Sequence, residues 1–263
     1  MLQKCRWKSL VGKFIGIGVG PGDPELITVK AVKTLKTVDV IAVPKTHADA
    51  PSIALSLIKH ILEERAKPAE VLELVFPMTK NESEAKKCWA ESARLIAEKA
   101  ESGKTIAFIT LGDPFFYSTF IYLFQTLKQK YPHVTMEIIP GVTSLTACAA
   151  RAQVPLAEKD EVIAIIPSDI DFKLIEETAE HADNIVFMKC AHRFKALMPI
   201  LEKSGFTKNA TVALVRRCGM SDEAVIIGRL GDVPEWNIPE DYFSMAIVKR
   251  SEFPINREKE DLL

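Results

Sequence analysis

Short apolar runs rich in Val and Ile recur along the chain, and amphipathic stretches separate most of them. That rhythm constrains the fold more than any other feature. Unbroken apolar strands need cover on both faces, and alternating helices supply it. The strand candidates are Lys13–Gly18, Val38–Val43, Glu70–Phe76, Thr105–Thr110, Val134–Pro140, Val162–Pro167, Asn184–Lys189, Thr211–Arg216, Ala224–Leu230 and Tyr242–Val248. Helices are expected at Pro24–Lys36, Ser52–Ala66, Glu82–Ser102, Thr119–Lys130, Ser144–Ala152, Asp171–His181 and His192–Lys203. Asp23 is suited to N-cap the first of these, with Pro24 at its first position, and Gly103 to close the third. After Thr211 three strands follow one another through turns rather than helices, so the second half is mixed and holds antiparallel pairs. The expected class is α/β with two domains, 1–135 and 136–263, divided where a Pro-containing turn, a strand and Pro140-Gly141 separate the two patterns.

A chain of 263 residues buries roughly 75% of its unfolded surface and needs no staple. The net charge of −1 argues against nucleic acid as the main partner. Five cysteines, none paired as Cys-x-x-Cys, read as reduced thiols of a cytoplasmic protein, with no zinc site. The basic, apolar start lacks a small-residue cleavage site, and no run reaches the length of a membrane span. A soluble protein is expected, with a frayed charged tail over 257–263.

Three strand ends carry small, rigid loops. The first reads Gly16-Ile-Gly-Val-Gly-Pro-Gly-Asp23. It misses the Gly-x-Gly-x-x-Gly register of a dinucleotide site, and Lys45 stands where a ribose-binding acid is wanted. It also lacks the Gly-Lys-Ser/Thr of a P-loop. On its own it is equally a tight strand–turn–helix connection. The second, Leu111-Gly-Asp-Pro-Phe-Phe-Tyr-Ser-Thr119, is another small acidic turn. The third, Pro140-Gly-Val-Thr-Ser144, precedes a helix rich in alanine. Three such loops suit a crevice at the carboxyl edge of an α/β sheet.

In this order the motifs resemble the tetrapyrrole methylases, the S-adenosylmethionine-dependent enzymes of cobalamin and sirohaem synthesis. The resemblance spans nearly the whole chain. The blocks Val40–Lys45, Phe76–Lys80, Trp89, Leu111–Leu123 and Arg216–Leu230 resemble the group that methylates C20 of precorrin-2 or cobalt-factor II. It implies two α/β domains with the active site in the trough between them, a homodimer, and S-adenosylmethionine converted to S-adenosylhomocysteine. It implies cofactor contacts at Pro21, Leu111, Gly112, Asp113, Phe116, Thr143, Ser144, Met188, Cys218, Met245 and Ala246. Tyr117, Ser118 and Thr119 are implied to face cofactor or substrate.

Several of these residues have a second, structural reading. The Asp113 carboxylate attracts an amino group or sulfonium, yet Gly-Asp-Pro is natural turn chemistry. Ser118 or Thr119 is an equally good helix cap. Met188 suits a core strand. A polycarboxylate tetrapyrrole asks for cations, and Lys45, Arg216 and Arg217 rank first because they follow strands. His47, Arg151, Lys159, Lys189 and His192 are further candidates. No constellation identifies a general base, and the histidines show no metal spacing. A sibling methylating another ring position and a non-enzymatic tetrapyrrole binder are the alternatives. Whether the substrate carries cobalt is not written in the sequence.

Overall fold

The computed structural model describes residues 12–254 apart from 48, 78, 80 and 168. The N-terminal segment with Cys5, part of the Phe76–Lys80 block and the charged tail lie outside the described residues. The chain divides into two units, Met1–Thr143 and Ser144–Leu263.

The first unit is a parallel five-stranded sheet. Its strands are β1 (Lys13–Gly18), β2 (Val40–Lys45), β3 (Glu70–Val75), β4 (Ile106–Thr110) and β5 (Thr135–Ile139), ordered β3-β2-β4-β1-β5. The helices are α1 (Val29–Leu35), α2 (Ile53–Glu63), α3 (Glu82–Glu101) and α4 (Phe120–Lys130). Alternate strand residues feed two separate cores, as the period-two geometry of a strand dictates. Ile15, Ile17, Ile41 and Ile109 pack with Leu35, Leu57 and Ile58 of α1 and α2. Phe14, Val40, Ile106 and Phe108 pack with Ile96, Phe120 and Leu123 of α3 and α4. The expected cut at 135/136 passes through this sheet. Thr135–Ile139 pairs in parallel with β1, from Lys13↔Thr135 to Ile17↔Ile139, and so stays with the first unit.

The helix expected from Pro24 is two pieces. Asp23 caps a single 3-10 turn, Pro24–Leu26, by accepting from Glu25 N at 2.9 Å. Ile27 is extended, and the Thr28 hydroxyl starts α1 by accepting from Ala31 N at 3.2 Å. Two capping side chains in succession win over a continuous apolar period.

The second unit opens with α5 (Ser144–Ala152). Its strands are β6 (Ile163–Pro167), β7 (Asn184–Met188), β8 (Thr211–Arg216), β9 (Ala224–Arg229) and β10 (Ser244–Lys249). Their order is β6-β7-β10-β8-β9, parallel only between β6 and β7. The last strand therefore sits in the middle of the sheet. Phe187, Val212, Leu214, Ala246 and Val248 form one core with α6 (Phe172–His181) and α7 (Phe194–Lys203). The short α5 packs against β8, β9 and β10.

Lys249, 1% exposed, ends β10 inside the second unit and pairs with Glu161. Asn184 Nδ2 donates to the same carboxylate at 2.9 Å. The lysine ammonium beside Glu161 holds its carboxyl below the usual range, and the Asn184 bond adds to this against the opposing effect of burial.

Candidate functional site

In the first unit the loops after β1 and β4 are hydrogen-bonded backbone to backbone, and the turn after β5 packs against both. Val19 N donates to Thr110 O at 2.9 Å, and Gly112 N to Gly20 O at 2.8 Å. The loops lie so close that side chains have no place at the junction. A Cβ on Gly141 would stand 2.1 Å from Gly112 O, and one on Gly18 would stand 2.4 Å from the same atom. Gly112 itself has φ +65°, a conformation glycine adopts without cost. A Cβ added there would meet nothing nearer than the Thr143 Cα at 4.0 Å. A Cβ there would just touch Thr143, so it is the backbone conformation rather than crowding that calls for glycine at 112.

Asp113 is committed to the loops. Its Oδ1 accepts from Phe115 N at 2.8 Å, closing its own turn. Its Oδ2 accepts from Gly141 N at 3.0 Å, reaching the turn after β5. The turn-forming reading of this residue is therefore present in the geometry. Ser118 is a buried cap: its hydroxyl accepts from Phe120 N at 3.2 Å and pairs with Thr110 Oγ1 at 2.9 Å. Thr119, at the N-cap position of α4, makes no side-chain cap bond. Pro21 is buried, Leu111 and Phe116 are half-buried, and Tyr117 is exposed with φ +51°. Lys45 ends β2 paired with Glu73 at 3.0 Å.

In the second unit the predicted residues gather around the start of β10. Met188 faces Met245 across the β7–β10 ladder. Both are buried, and neither belongs to the α6–α7 core. Ala246 follows Met245 on the other face and belongs to the α6–α7 core. Lys189 and Arg217 follow β7 and β8 with φ +57° and +50°. Each donates its N–H to the entry of β10, Lys189 to Ser244 O and Arg217 to Phe243 O, both at 2.7 Å. Non-glycine residues in this conformation cost about 1–3 kcal/mol each and persist where neighbours over-determine them. These two backbone bonds do so.

The arginine pair is neutralised within its own unit. Arg217 Nε donates to Asp222 at 2.7 Å, and Arg216 lies 3.5 Å from Asp241. The hydrogen bond to Asp222 raises the Arg217 pKa, and Asp222 is lowered in return. Arg216 Nε is buried with no hydrogen-bond partner among the described residues, and Arg216 lines a small apolar pocket with Leu214, Ile226 and Ile238. Lys189 Nζ sits 4.6 Å from the Tyr242 ring centroid.

Cys218 is buried beside Cys148 of α5, and the hydrogen bond between them lowers its pKa. That bond, with burial, pushes Cys148 up, while burial drives Cys190 up to about 12 against the lowering effect of its hydrogen bonds. Ser144 begins α5 half-buried.

Asp222, Asp241 and Glu223 were not among the sequence candidates. Glu223 accepts from Arg151 Nε and from Gly219 N, both at 2.6 Å, and so fixes the loop after β8. The acids in Ser221-Asp222-Glu223, next to an arginine pair, were the available signal. Among the described residues no group of three or more His, Cys, Asp or Glu could hold a metal ion. None of the described helices is long and apolar enough to cross a membrane.

Residues 13–234 match the model of the Tetrapyrrole (Corrin/Porphyrin) Methylases. The chain is 37% identical to the probable cobalt-precorrin-2 C(20)-methyltransferase of Methanocaldococcus jannaschii, over 92% of this chain and 98% of that protein. It is 34% identical to the cobalt-precorrin-2 C(20)-methyltransferase of Salmonella typhimurium, over 91% and 97%. The uroporphyrin-III C-methyl transferase of Thermus thermophilus, complexed with S-adenyl homocysteine, superposes with a TM-score of 0.65 at 21% identity. That match covers 90% of this chain and 97% of the other, and at this identity it establishes the fold alone.

Proposed function

Because the chain belongs to the tetrapyrrole methylases, we propose that it methylates C20 of precorrin-2 or cobalt-factor II in cobalamin biosynthesis, with S-adenosylmethionine as methyl donor. The observation that carries this is the near full-length likeness to two proteins named for that ring position. Both names specify a cobalt-bearing substrate, which favours cobalt-factor II over the metal-free ring. The reading includes a cytoplasmic homodimer, supported by the family resemblance.

S-adenosylmethionine supplies a sulfonium methyl that an electron-rich ring carbon displaces, leaving S-adenosylhomocysteine. The residues of this chain have to bind and align. In the first unit Gly112, Thr143, Pro21, Leu111 and Phe116 are assigned to this ligand, which needs backbone groups rather than an anion trap. In the second unit Ser144, Met188, Cys218, Met245 and the backbone of Ala246 are assigned to the same ligand, and Tyr117 and Ser118 to cofactor or substrate. Orienting donor and acceptor contributes about 7–11 kcal/mol to such a transfer. Lys45, Arg216 and Arg217 are assigned to the substrate carboxylates. Arginine forks match that chemistry, and Asp222 and Asp241 hold the two arginines until a carboxylate arrives.

The test is anaerobic turnover with methyl-labelled S-adenosylmethionine, offering precorrin-2 and cobalt-factor II separately and locating the label by NMR. Label at C20, with cobalt-factor II preferred, is expected. Label at another carbon replaces the reading with a sibling activity. Cofactor binding with no transfer to either ring replaces it with a binding function.

A further inference from the structure

The Asp113 carboxylate bridges two turns that are far apart in sequence. One oxygen closes the turn after β4 through Phe115 N at 2.8 Å, and the other takes Gly141 N, in the turn after β5, at 3.0 Å. The second bond acts where the two backbones are already closest, since a Cβ on Gly141 would lie 2.1 Å from Gly112 O. Thr143, two residues past Gly141, lies against Gly112 at the same junction, its Cα 4.0 Å from where a Gly112 Cβ would stand.

We propose that Asp113 is a positioning residue: its carboxylate draws the turn after β5 onto the turn after β4, shapes the cofactor cradle, and makes no bond to the cofactor. This rests on the reading that these loops take S-adenosylmethionine. A carboxylate is suited to the task because it accepts through both oxygens, whereas an amide offers one acceptor and presents N–H groups on the other side. Asp113→Asn therefore keeps the shape and loses one of the two bonds, with an N–H set against an N–H.

The experiment measures calorimetric affinities of the wild type and Asp113→Asn for S-adenosylmethionine, S-adenosylhomocysteine and methylthioadenosine. The first carries a sulfonium and an ammonium, the second only the ammonium, and the third neither. A loop tie predicts a loss of about tenfold that is the same for all three within about threefold. Amide exchange at Gly141 should accelerate in the variant. Asp113→Ala removes both bonds without setting an N–H against an N–H, and should reproduce the uniform loss if Asp113→Asn does not fold. A loss confined to S-adenosylmethionine, or to the two ligands with an ammonium, makes Asp113 a direct ligand and overturns the proposal. So does a lower melting temperature with all three affinities unchanged, since that is a purely structural role. A wild type that binds none of the three fails the cofactor reading itself, and the proposal with it.

Discussion

Gly16 sits in β1 on the face covered by α3 and α4, and the Phe120 ring occupies the space its side chain would fill. A Cβ at position 16 would lie 2.3, 2.6 and 2.9 Å from the Cζ, Cε2 and Cε1 atoms of that ring. Ordinary carbon contacts begin near about 3.5 Å, so Gly16→Ala requires the ring to withdraw by roughly 1 Å. It has nowhere to go. Phe120 is fully buried, with Phe14, Phe108 and Phe124 at centroid distances of 5.8, 5.5 and 6.0 Å. Overpacking of this kind costs about 1–3 kcal/mol, and a rigid aromatic backing places it near 3. Removing a glycine from the unfolded chain returns about 0.4–1 kcal/mol. A net loss of about 2 kcal/mol is expected in urea unfolding followed by circular dichroism. In a Phe120→Leu background the same substitution should be nearly neutral, a coupling of at least about 1.5 kcal/mol. If Gly16→Ala stays within about 0.5 kcal/mol of wild type, or the two substitutions add, the account of this contact is wrong.

Two other outcomes follow from charge. Glu161 is held below the unfolded carboxyl value of 4.5 chiefly by Lys249, so its contribution to stability is present above that value and lost as pH falls through the lower, folded one. Urea midpoints between about pH 3 and 6 should fall less steeply in Glu161→Gln than in wild type, and equal slopes would remove the pair from the explanation. Replacing Arg216 and Arg217 together with Gln should raise the tetrapyrrole KM about tenfold or more while cofactor affinity holds; equal loss of both would point to a folding role.

The architecture was largely legible because it depends on local patterns. Each expected strand forms, Lys13–Gly18 and Thr211–Arg216 with the expected ends and the others with one or both ends shifted by one or two residues, and Ser144–Ala152 forms as expected. The break at Ile27 was missed because Thr28 reads as one more residue in a helical period until its hydroxyl is seen capping Ala31. The allegiance of β5 was hidden for a different reason. Its composition fits either half, and only pairing with β1 decides. At the site, glycine and proline marked the three loops directly, since backbones that touch leave few other residue types. What holds those loops was not legible. The Asp113–Gly141 bond and the Asp241–Arg216 pair join residues that no short motif connects. Met245 and Ala246 were grouped from sequence, yet neighbours on a strand face opposite ways, and only Met245 faces away from the α6–α7 core.

The place of β10 gives the two units different histories during synthesis. The first sheet has all its strands once the chain reaches Ile139. In the second, β6 with β7 and β8 with β9 are separate two-stranded pieces until Ser244–Lys249 is inserted between β7 and β8. Two-stranded pieces are marginal in water, and within this sheet the closing strand brings the most sequence-distant pairings, from Met245↔Met188 to Lys249↔Asn184, which form slowly. On the ribosome the first unit can be finished while the second still waits with open edges on β7 and β8. That interval is when a nascent chain of this design most needs a chaperone.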